Sequence, residues 1–546
     1  MNPMRIAFLA VDTRWEDPAG TFTSFSYAAR KLEASVRGAP DLAHVETTII
    51  DLKTDDPEAF FEAIRAYRPT VVAASAYIWS VATFLDVARR VKEWDPSVRV
   101  VLGGPAARQS LLSLAPYRPL LRYVDAIATG EGEEVVRHLA RDEALASIPG
   151  LLLPHSLGFR STAPAVRPEL DAYPSPYQIG TAPLDHTGFI ETFRGCPISC
   201  AFCQWGDEKS DRVHGAEYLT SHLRGLVESR AESVFFTDAA FNLSARAFRN
   251  LLEAERTVDA LSKVTVRGHL YPTHVKEEHL DFLDHVGKAQ VAVGVQSFDV
   301  EVLQRLGRPF DLARFERVLV ELRPRMQIDI ELICGLPGDN PESFRRTLEK
   351  TLAIADTVRV FYPLVLPDAL LERADEFGIR FDPRSFLVEE CQGWSAKELR
   401  GTWDAVERMS EGLANRIVRP TWVGFATHPA ASASTIEGKP VSAKSVDVPA
   451  DQVQMLTTSL GARVTGWSVA GARRENDALL LDLGSPRGVV VLHVIRSHEG
   501  VRFFSRHGGL AYSYRGEVDR ATVGELGRVI EAIHPATARL LAAAGG

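Results

Sequence analysis

The sequence predicts an α/β protein with a doubly wound parallel sheet first, a full or partial β/α barrel second, and a smaller α+β module last. Three observations carry that prediction. Short apolar, β-branched runs alternate with amphipathic helical patterns from Met4 to about Leu145, and a second alternation of the same kind begins at "GFIETFRG". Between them lies a stretch rich in Pro, Ser and Gly, and after about Val441 the pattern shifts to short strands.

In the first run, residues 1–145, "RIAFLAV", "VETTIIDL", "TVVAASAY", "RVVLGGP" and "AIATGE" read as strands, with "FTSFSYAARKLEASV", "PEAFFEAIRAY", "VATFLDVARRVKEW" and "GEEVVRHLAR" as the helices. That makes a Rossmann-like sheet whose ligand crevice lies at the strand carboxyl ends, where "SAYIWS", "GGP" and "TGEGE" fall. Gly103, Gly104 and Gly130 let backbone approach a large flat ligand, although plain turns are the competing reading. Residues 146–185 read as an extended linker. Residues 186–385 then supply "SVFFTD", "KVTVRGHL", "QVAVGVQS", "QIDIELICGLPG" and "VRVFYPLVL" as strands of a partial TIM-type barrel, with its chemistry at the strand carboxyl ends. Residues 386–546 make the last module, with a helix at "SAKELRGTWDAVERMSEGLANRIV", a small sheet, and a closing helix near "VGELGRVIEAI".

Composition narrows the function classes. Of 546 residues 45% are hydrophobic and 24% charged, and the net charge is −9, which announces no basic face for nucleic acid. The apolar stretch of "MNPMRIAFLAV" ends at Asp12, too short to span a membrane. Five cysteines are too few and too odd for a disulfide framework, which implies a reducing, cytoplasmic location.

Three of those cysteines, Cys196, Cys200 and Cys203, crowd into "RGCPISCAFCQWG" just after the first barrel strand. Structural zinc wants four ligands and catalytic zinc is a weak rival, while a disulfide would orphan the third thiol. An iron-sulfur cluster fits better, since one iron left without a protein thiolate offers a vacancy for a chelating substrate; a structural metal site is the competing reading. Cys334 and Cys391 read as incidental.

At this loop the chain resembles the radical S-adenosylmethionine superfamily. The resemblance implies a [4Fe-4S] cluster on Cys196, Cys200 and Cys203, with the amino and carboxylate groups of S-adenosylmethionine on the open iron. It places Phe202 near the adenine, Thr237 and Asp238 of "FFTDAAFN" at the methionine amino group, and Gln296, Ser297 and Ile333 at the ribose, carboxylate and adenine. Arg305 and Arg308 are candidates for the carboxylate, with a solvated helix face as the alternative for at least one. Asp238 has the alternative of a strand-end turn residue.

A preceding doubly wound domain narrows the resemblance to the cobalamin-binding members, most of which are methyltransferases. It implies corrin contacts at Ser75, Tyr77, Trp79, Gly103, Gly104, Pro105, Thr129, Gly130 and Glu131. In such enzymes reduced cobalamin takes a methyl from one S-adenosylmethionine. Reductive cleavage of a second gives the 5′-deoxyadenosyl radical, and the resulting substrate radical collects the methyl. The implied function is C-methylation of a small-molecule, amino-acid or peptide substrate in specialised-metabolite biosynthesis, fed by a flavodoxin- or ferredoxin-type electron donor. Polar methylation of an aromatic carbon, as in tryptophan methylases, and a cobalamin enzyme that transfers no methyl stay open. A cobalamin sensor is the rival from outside enzymology, and the cluster loop argues against it because sensing needs no open iron.

Many cobalamin domains carry Asp-x-His-x-x-Gly after the first strand, so that His replaces the vitamin's own base. Here Asp12 is followed by Arg14, and Asp17 stands where the Gly would be. None of the other candidate corrin loops holds a His, so the resemblance implies cobalamin with its base displaced and no histidine on cobalt, with Tyr77 or Trp79 available to fill that face. His428, Trp467 and Tyr512 are weaker site candidates, since a lone His or Trp is more often packed or solvated. The last module either covers the barrel mouth or reads the substrate, with a purely structural cap as the equal alternative.

Overall fold

Seven strands form the first sheet: β1 (Arg5–Val11), β2 (Glu46–Leu52), β3 (Val71–Ser75), β4 (Arg99–Gly103), β5 (Ala126–Ala128), β6 (Leu151–His155) and β7 (Gly158–Ser161). The computed structural model describes residues 3–11, 25–52, 55–155, 158–184, 186–207, 212–409, 422–426, 446–461, 467–475, 478–485, 488–497, 500–505, 511–512, 529 and 532–533. The strand order is β2-β1-β3-β4-β5-β6-β7, parallel through β5 and antiparallel beyond it. Helices α1 (Tyr27–Arg37), α2 (Pro57–Tyr67), α3 (Val81–Trp94), α4 (Gln109–Leu112) and α5 (Gly132–Ala140) follow the strands. Alternate residues of β1 enter opposite layers, Ile6, Phe8 and Ala10 against α1 and α5, Ala7 and Leu9 against α2 and α3. Two covered faces explain why the strands read as continuous apolar runs. The order reverses between β1 and β3, which makes that edge the switch point.

The stretch expected as an extended linker opens differently. Leu151–His155 and Gly158–Ser161 form a hairpin that extends the sheet past β5, with Leu151 fully buried. β5 has only three residues, so an added antiparallel strand covers its free edge, a role that Pro-rich composition does not reveal.

The second sheet holds β8 (Thr187–Ile190), β11 (Ser233–Phe236), β12 (Thr265–Leu270), β13 (Lys288–Gln296), β14 (Asp329–Ile333) and β15 (Thr357–Phe361) in parallel, with β18 (Trp422–Ala426) antiparallel on β15. Two short ladders accompany it, β9 (Phe193–Arg194) with β10 (Arg212–Val213), and β16 (Arg380–Phe381) with β17 (Val388–Glu390). Among the described residues no strand joins β8 to β18, so the barrel is partial. Its outer helices are α6 (Ala216–Glu228), α7 (Ala245–Val258), α8 (Glu277–His285), α9 (Val300–Arg305), α10 (Leu312–Leu322), α11 (Pro341–Ile354) and α12 (Ala396–Met409). Both sheets lie in one compact unit, Met1–Glu437.

A separate unit, Gly438–Gly546, carries the antiparallel strands β19 (Val446–Asp447), β20 (Ser468–Glu475), β21 (Ala478–Ser485), β22 (Gly488–Ser497), β23 (Gly500–Ser505) and β24 (Ala511–Tyr512) in chain order. A helix over Ala450–Gly461, absent from the sequence reading, packs Leu456 and Leu460 on Leu479, Leu481 and Val494. Its Thr- and Ser-rich run "LTTSLG" weakens the helical pattern. Trp467 packs partly buried against this core, Tyr512 lies in β24, and His428 and most of the expected closing helix fall outside the described residues.

The wrap of residues 162–184 over the barrel gives a stability test. Gly225 faces outward from α6 onto Tyr177, whose carbonyl an added Cβ would overlap. Ala normally stabilises a helix interior by about 1 kcal/mol over Gly. Here overpacking reverses the sign, and Gly225→Ala is expected to lower stability by about 1–3 kcal/mol in urea unfolding.

Candidate functional site

β8 delivers the chain into the cysteine loop, and β9 pairs with β10 to close the loop at its base. Gly195 turns the backbone with φ +93 just before Cys196. Cys196 and Cys200 are 8% exposed and Cys203 is half-buried; none forms a disulfide. The Ala201 N–H donates to Leu306 O at 2.8 Å. Two glycines press on the same loop from outside. A Cβ on Gly206 would stand 2.8 Å from Ile198 O, and one on Gly307 (φ +69) 2.8 Å from Ser199 O.

The donor set suits a multi-iron cluster. Around a single zinc ion, thiolates 2.3 Å from the metal lie roughly 4 Å apart. Among the described residues, the one group whose ligand atoms all fall within 4.8 Å is Glu255, Asp259 and His285, so at least one pair of the three sulfurs is further apart than that. Burial, then the neighbouring Cys200 and Cys196, push the Cys203 thiol up to about 11. Arg308 is buried, with Nη1 3.7 Å from Cys200 Sγ, its guanidinium over the Tyr271 ring and a hydrogen bond to Gly294 O. Arg305 is the solvated one of the pair.

The residues expected around S-adenosylmethionine divide. Phe202, partly buried, packs on the barrel core beside the loop, and Ile333 ends β14 partly exposed. Gln296 sits at a bulge of β13 against β14 with φ +72, a strained conformation for a non-glycine residue at a strand end. Thr237 spends its N–H and hydroxyl on Ile190 O. Asp238 accepts from the Thr192 N–H and hydroxyl, both at 2.8 Å, and from the Phe193 N–H at 3.2 Å. Burial pushes its carboxyl up to about 7 despite those donors. Asp238 therefore fixes the turn that leads into the cysteine loop. Ser297 is fully buried, with its hydroxyl on the Asp299 N–H and Thr347, so its place is at the start of α9.

The first sheet's loops divide likewise. Thr129 bonds Gly150 O through its N–H and hydroxyl, and Glu131 pairs with Arg194 at 3.1 Å and with Arg212. Gly104 (φ +93) is required by the neighbouring loop, because a Cβ there would meet Ala76 O at 2.7 Å. Gly103 and Gly130 meet nothing nearer than 3.4 Å. Tyr77 and Trp79 stack with centroids 4.6 Å apart, Ser75 hydrogen-bonds the Tyr77 hydroxyl, and the buried Trp79 indole N–H lacks a partner. An orphaned donor beside uncrowded glycines at the strand carboxyl ends fits an amide-rimmed planar ligand such as a corrin. The loop with Asp12, Arg14 and Asp17 lies outside the described residues.

Sequence reasoning missed two groups. Gln204, next to Cys203, donates from Nε2 to Pro105 O at 3.1 Å and joins the cysteine loop to the first sheet. In the second sheet His269 Nε2 lies 3.5 Å from Glu331 Oε1, and Arg359 Nη2 2.7 Å from Asp329 Oδ2. Burial opposes charge on His269 and Glu331, yet each holds the other ionised, the imidazole raised and the carboxyl lowered; burial pushes Asp329 up to about 6. The signal was present as polar residues at alternate strand positions, Arg267 and His269, Asp329 and Glu331.

The Radical SAM superfamily model matches residues 190–351, and the B12 binding domain model matches residues 30–140. The chain therefore carries a radical S-adenosylmethionine domain and a B12 binding domain, and its cofactors are a [4Fe-4S] cluster, S-adenosylmethionine and cobalamin. It is 30% identical to 2-(S-pantetheinyl)-carbapenam-3-carboxylate methyltransferase of Streptantibioticus cattleyicolor, over 59% of this chain and 51% of that one. It is 28% identical to the cobalamin-dependent radical SAM methyltransferase TokK of Streptomyces tokunonensis, over 59% and 51%. The chain thus spans about half the length of these curated relatives. The fold resembles TsrM of Kitasatospora setae, solved with cobalamin and a [4Fe-4S] cluster bound, at TM-score 0.53 and 20% identity over 68% of this chain and 75% of that one. It also resembles OxsB with aqua-cobalamin, at TM-score 0.56 and 14% identity over 75% and 67%.

The two glycines against the cysteine loop yield a test. Gly307→Ala combines a left-handed φ with an unyielding backbone neighbour, Ser199 O. After anaerobic reconstitution, iron and sulfide per chain are expected to fall by about twofold or more, by colorimetric assay, with far-ultraviolet circular dichroism unchanged.

Proposed function

We propose that this chain is a cobalamin-dependent radical S-adenosylmethionine C-methyltransferase. It moves a methyl from S-adenosylmethionine to a carbon of a small-molecule, amino-acid or peptide substrate in specialised-metabolite biosynthesis. The observation that carries this reading is the Gln204 hydrogen bond to Pro105, which joins the cysteine loop to the glycine loop of the cobalamin domain inside one unit. The relatives named carbapenam methyltransferase and TokK support methyl transfer and a small-molecule substrate.

Cys196, Cys200 and Cys203 would hold the cluster and leave one iron for S-adenosylmethionine. Phe202, Gln296, Ile333 and Arg308 would receive that molecule, while Thr237, Asp238 and Ser297 hold the strand ends that carry them. Ser75, Tyr77, Trp79, Gly103, Gly104, Pro105 and Gly130 would line the corrin, and Thr129 and Glu131 fix the loop between them. When bound, the cluster supplies the radical and cobalamin carries the methyl. Electrons come from a flavodoxin- or ferredoxin-type donor in the reducing cytoplasm. Among the described residues no helix is long and apolar enough to cross a membrane.

Incubation with S-adenosylmethionine and reductant is expected to give S-adenosylhomocysteine together with 5′-deoxyadenosine; 5′-deoxyadenosine alone would overturn methyl transfer. Replacing Cys196, Cys200 and Cys203 together with Ala is expected to abolish the broad iron-sulfur absorbance. Cys334 is fully buried, and Cys391 lies 3.6 Å from Gly335 O with burial pushing its thiol up to about 12. Cys334→Ala and Cys391→Ala are therefore expected to leave iron content and turnover intact, and loss of the cluster in either would break the three-ligand account.

The lower face of the corrin supplies one more expected outcome. With no histidine in the candidate loops, electron paramagnetic resonance of the cob(II)alamin form is expected to show no nitrogen splitting from protein histidine. Splitting that shifts when the protein's histidines carry labelled nitrogen would reverse this.

A further inference from the structure

We propose that Gln204 is a positioning residue, the strut that fixes the spacing between the cluster loop and the corrin loop; this rests on the methyltransferase reading. Both ends of the strut are held rigidly. On the cobalamin side, Pro105 lies between Gly104, which packs on Ala76, and Ala106, whose N–H donates to Ala76 O at 3.0 Å. The Ala76 N–H in turn donates to Gly103 O at 2.7 Å, so the carbonyl that receives Gln204 belongs to a cross-braced loop. On the cluster side, the Cys203 N–H donates to Cys200 O at 3.1 Å, the Ala201 N–H holds Leu306 O, and Gly206 allows backbone contact with Ile198. Gln204 follows Cys203 directly, and its amide is a single-bond-jointed arm between two fixed points.

Other contacts also hold the two halves together, and one of them reaches the corrin loop, because Arg108 Nη1 donates to Gly104 O at 3.1 Å. Arg194 pairs with Glu131 and Glu133, Arg108 with Asp368 at 2.5 Å, and the Tyr117 hydroxyl donates to Pro383 O at 2.8 Å. Losing the Gln204 amide therefore leaves the halves docked and the corrin loop held by Arg108, while the cluster loop loses its direct tie to that loop. Glu at 204 has the same length but no N–H to offer a carbonyl, so it fails as a strut and adds repulsion.

The test uses the full chain reconstituted with iron, sulfide and cobalamin, with S-adenosylmethionine as the only added substrate. Gln204→Ala and Gln204→Glu are expected to bind iron and cobalamin at wild-type levels. The magnetic interaction between the reduced cluster and cob(II)alamin, read by electron paramagnetic resonance, is expected to broaden or shrink in both. The ratio of S-adenosylhomocysteine to 5′-deoxyadenosine is expected to change by about threefold or more, because the two cofactors no longer sit at one spacing. Wild-type magnetic interaction and ratio in both variants would overturn the strut. Loss of cobalamin or iron in both would overturn it as well, by marking a binding role. Wild-type protein that takes up cobalamin but makes no S-adenosylhomocysteine would instead sink the methyltransferase reading, and the magnetic measurement would still judge Gln204.

Discussion

The arrangement of both sheets depends on one buried ion network centred on Arg194, two residues before Cys196. Its guanidinium meets Glu133 at 2.5 Å, Glu191 at 2.8 Å and Glu131 at 3.1 Å. Lys31 of α1 adds a bond to Glu191 at 2.5 Å and one to His214 Nε2 at 3.3 Å, whose Nδ1 meets Asp171 at 2.6 Å. Burial alone would discharge these groups. Instead the carboxylates hold Arg194 well above its ordinary range, and Arg194 and Lys31 hold Glu191 well below its own. Such a network adds little net stability against an apolar equivalent, but losing one member costs on the order of 3–5 kcal/mol, because a charge is left buried alone. Its consequence is geometric, since these pairs tie α1 and α5 to the β9–β10 ladder at several points.

From that fixed base the cysteine loop needs little more to be held. Asp238 ties its entry at Thr192 and Phe193, Leu306 accepts from Ala201, and Gly206 and Gly307 press on its back. A thiolate loop held before the iron arrives loses less conformational entropy on loading than a free one. Burial then does two jobs. It shields the loop from solvent, with Cys196 and Cys200 each 8% exposed, and it raises the cost of a lone thiolate at Cys203.

The two α/β halves were legible because periodicity is a local property of the chain, and cysteine spacing, equally local, is what marks the proposed cluster ligands. The hairpin at Leu151–Ser161 was not, because its strands exist to cover the short edge of β5, a tertiary need. Motif neighbours share a second role that the sequence does not show. Ser297, Thr237, Thr129 and Glu131 flank the expected ligand sites, yet their polar atoms serve strand ends, a helix start and the ion network. Short polar side chains at strand ends compete for local backbone groups, so nearness to a motif says more about loop geometry than about ligand contact. Gln204 carried no signal because its partner lies 99 residues away in sequence.

A rigid joint between the halves suits chemistry that uses two cofactors in succession. A hinge would let each site exist well formed while their separation wandered, and group transfer falls steeply when reacting atoms leave near-contact distance. Here the joint is layered. The ion network fixes the orientation of whole elements, Tyr117 with Pro383 fixes the far side, and Arg108, bonded to both Asp368 and Gly104 O, joins the neutral Gln204 amide at the loop tips. Most of the charge sits at the base of the joint, and Arg308 adds one guanidinium 3.7 Å from Cys200 Sγ. A neutral strut at the tips lets the loops be braced without another fixed charge between an iron cluster and a corrin, whose own charges change as each is reduced.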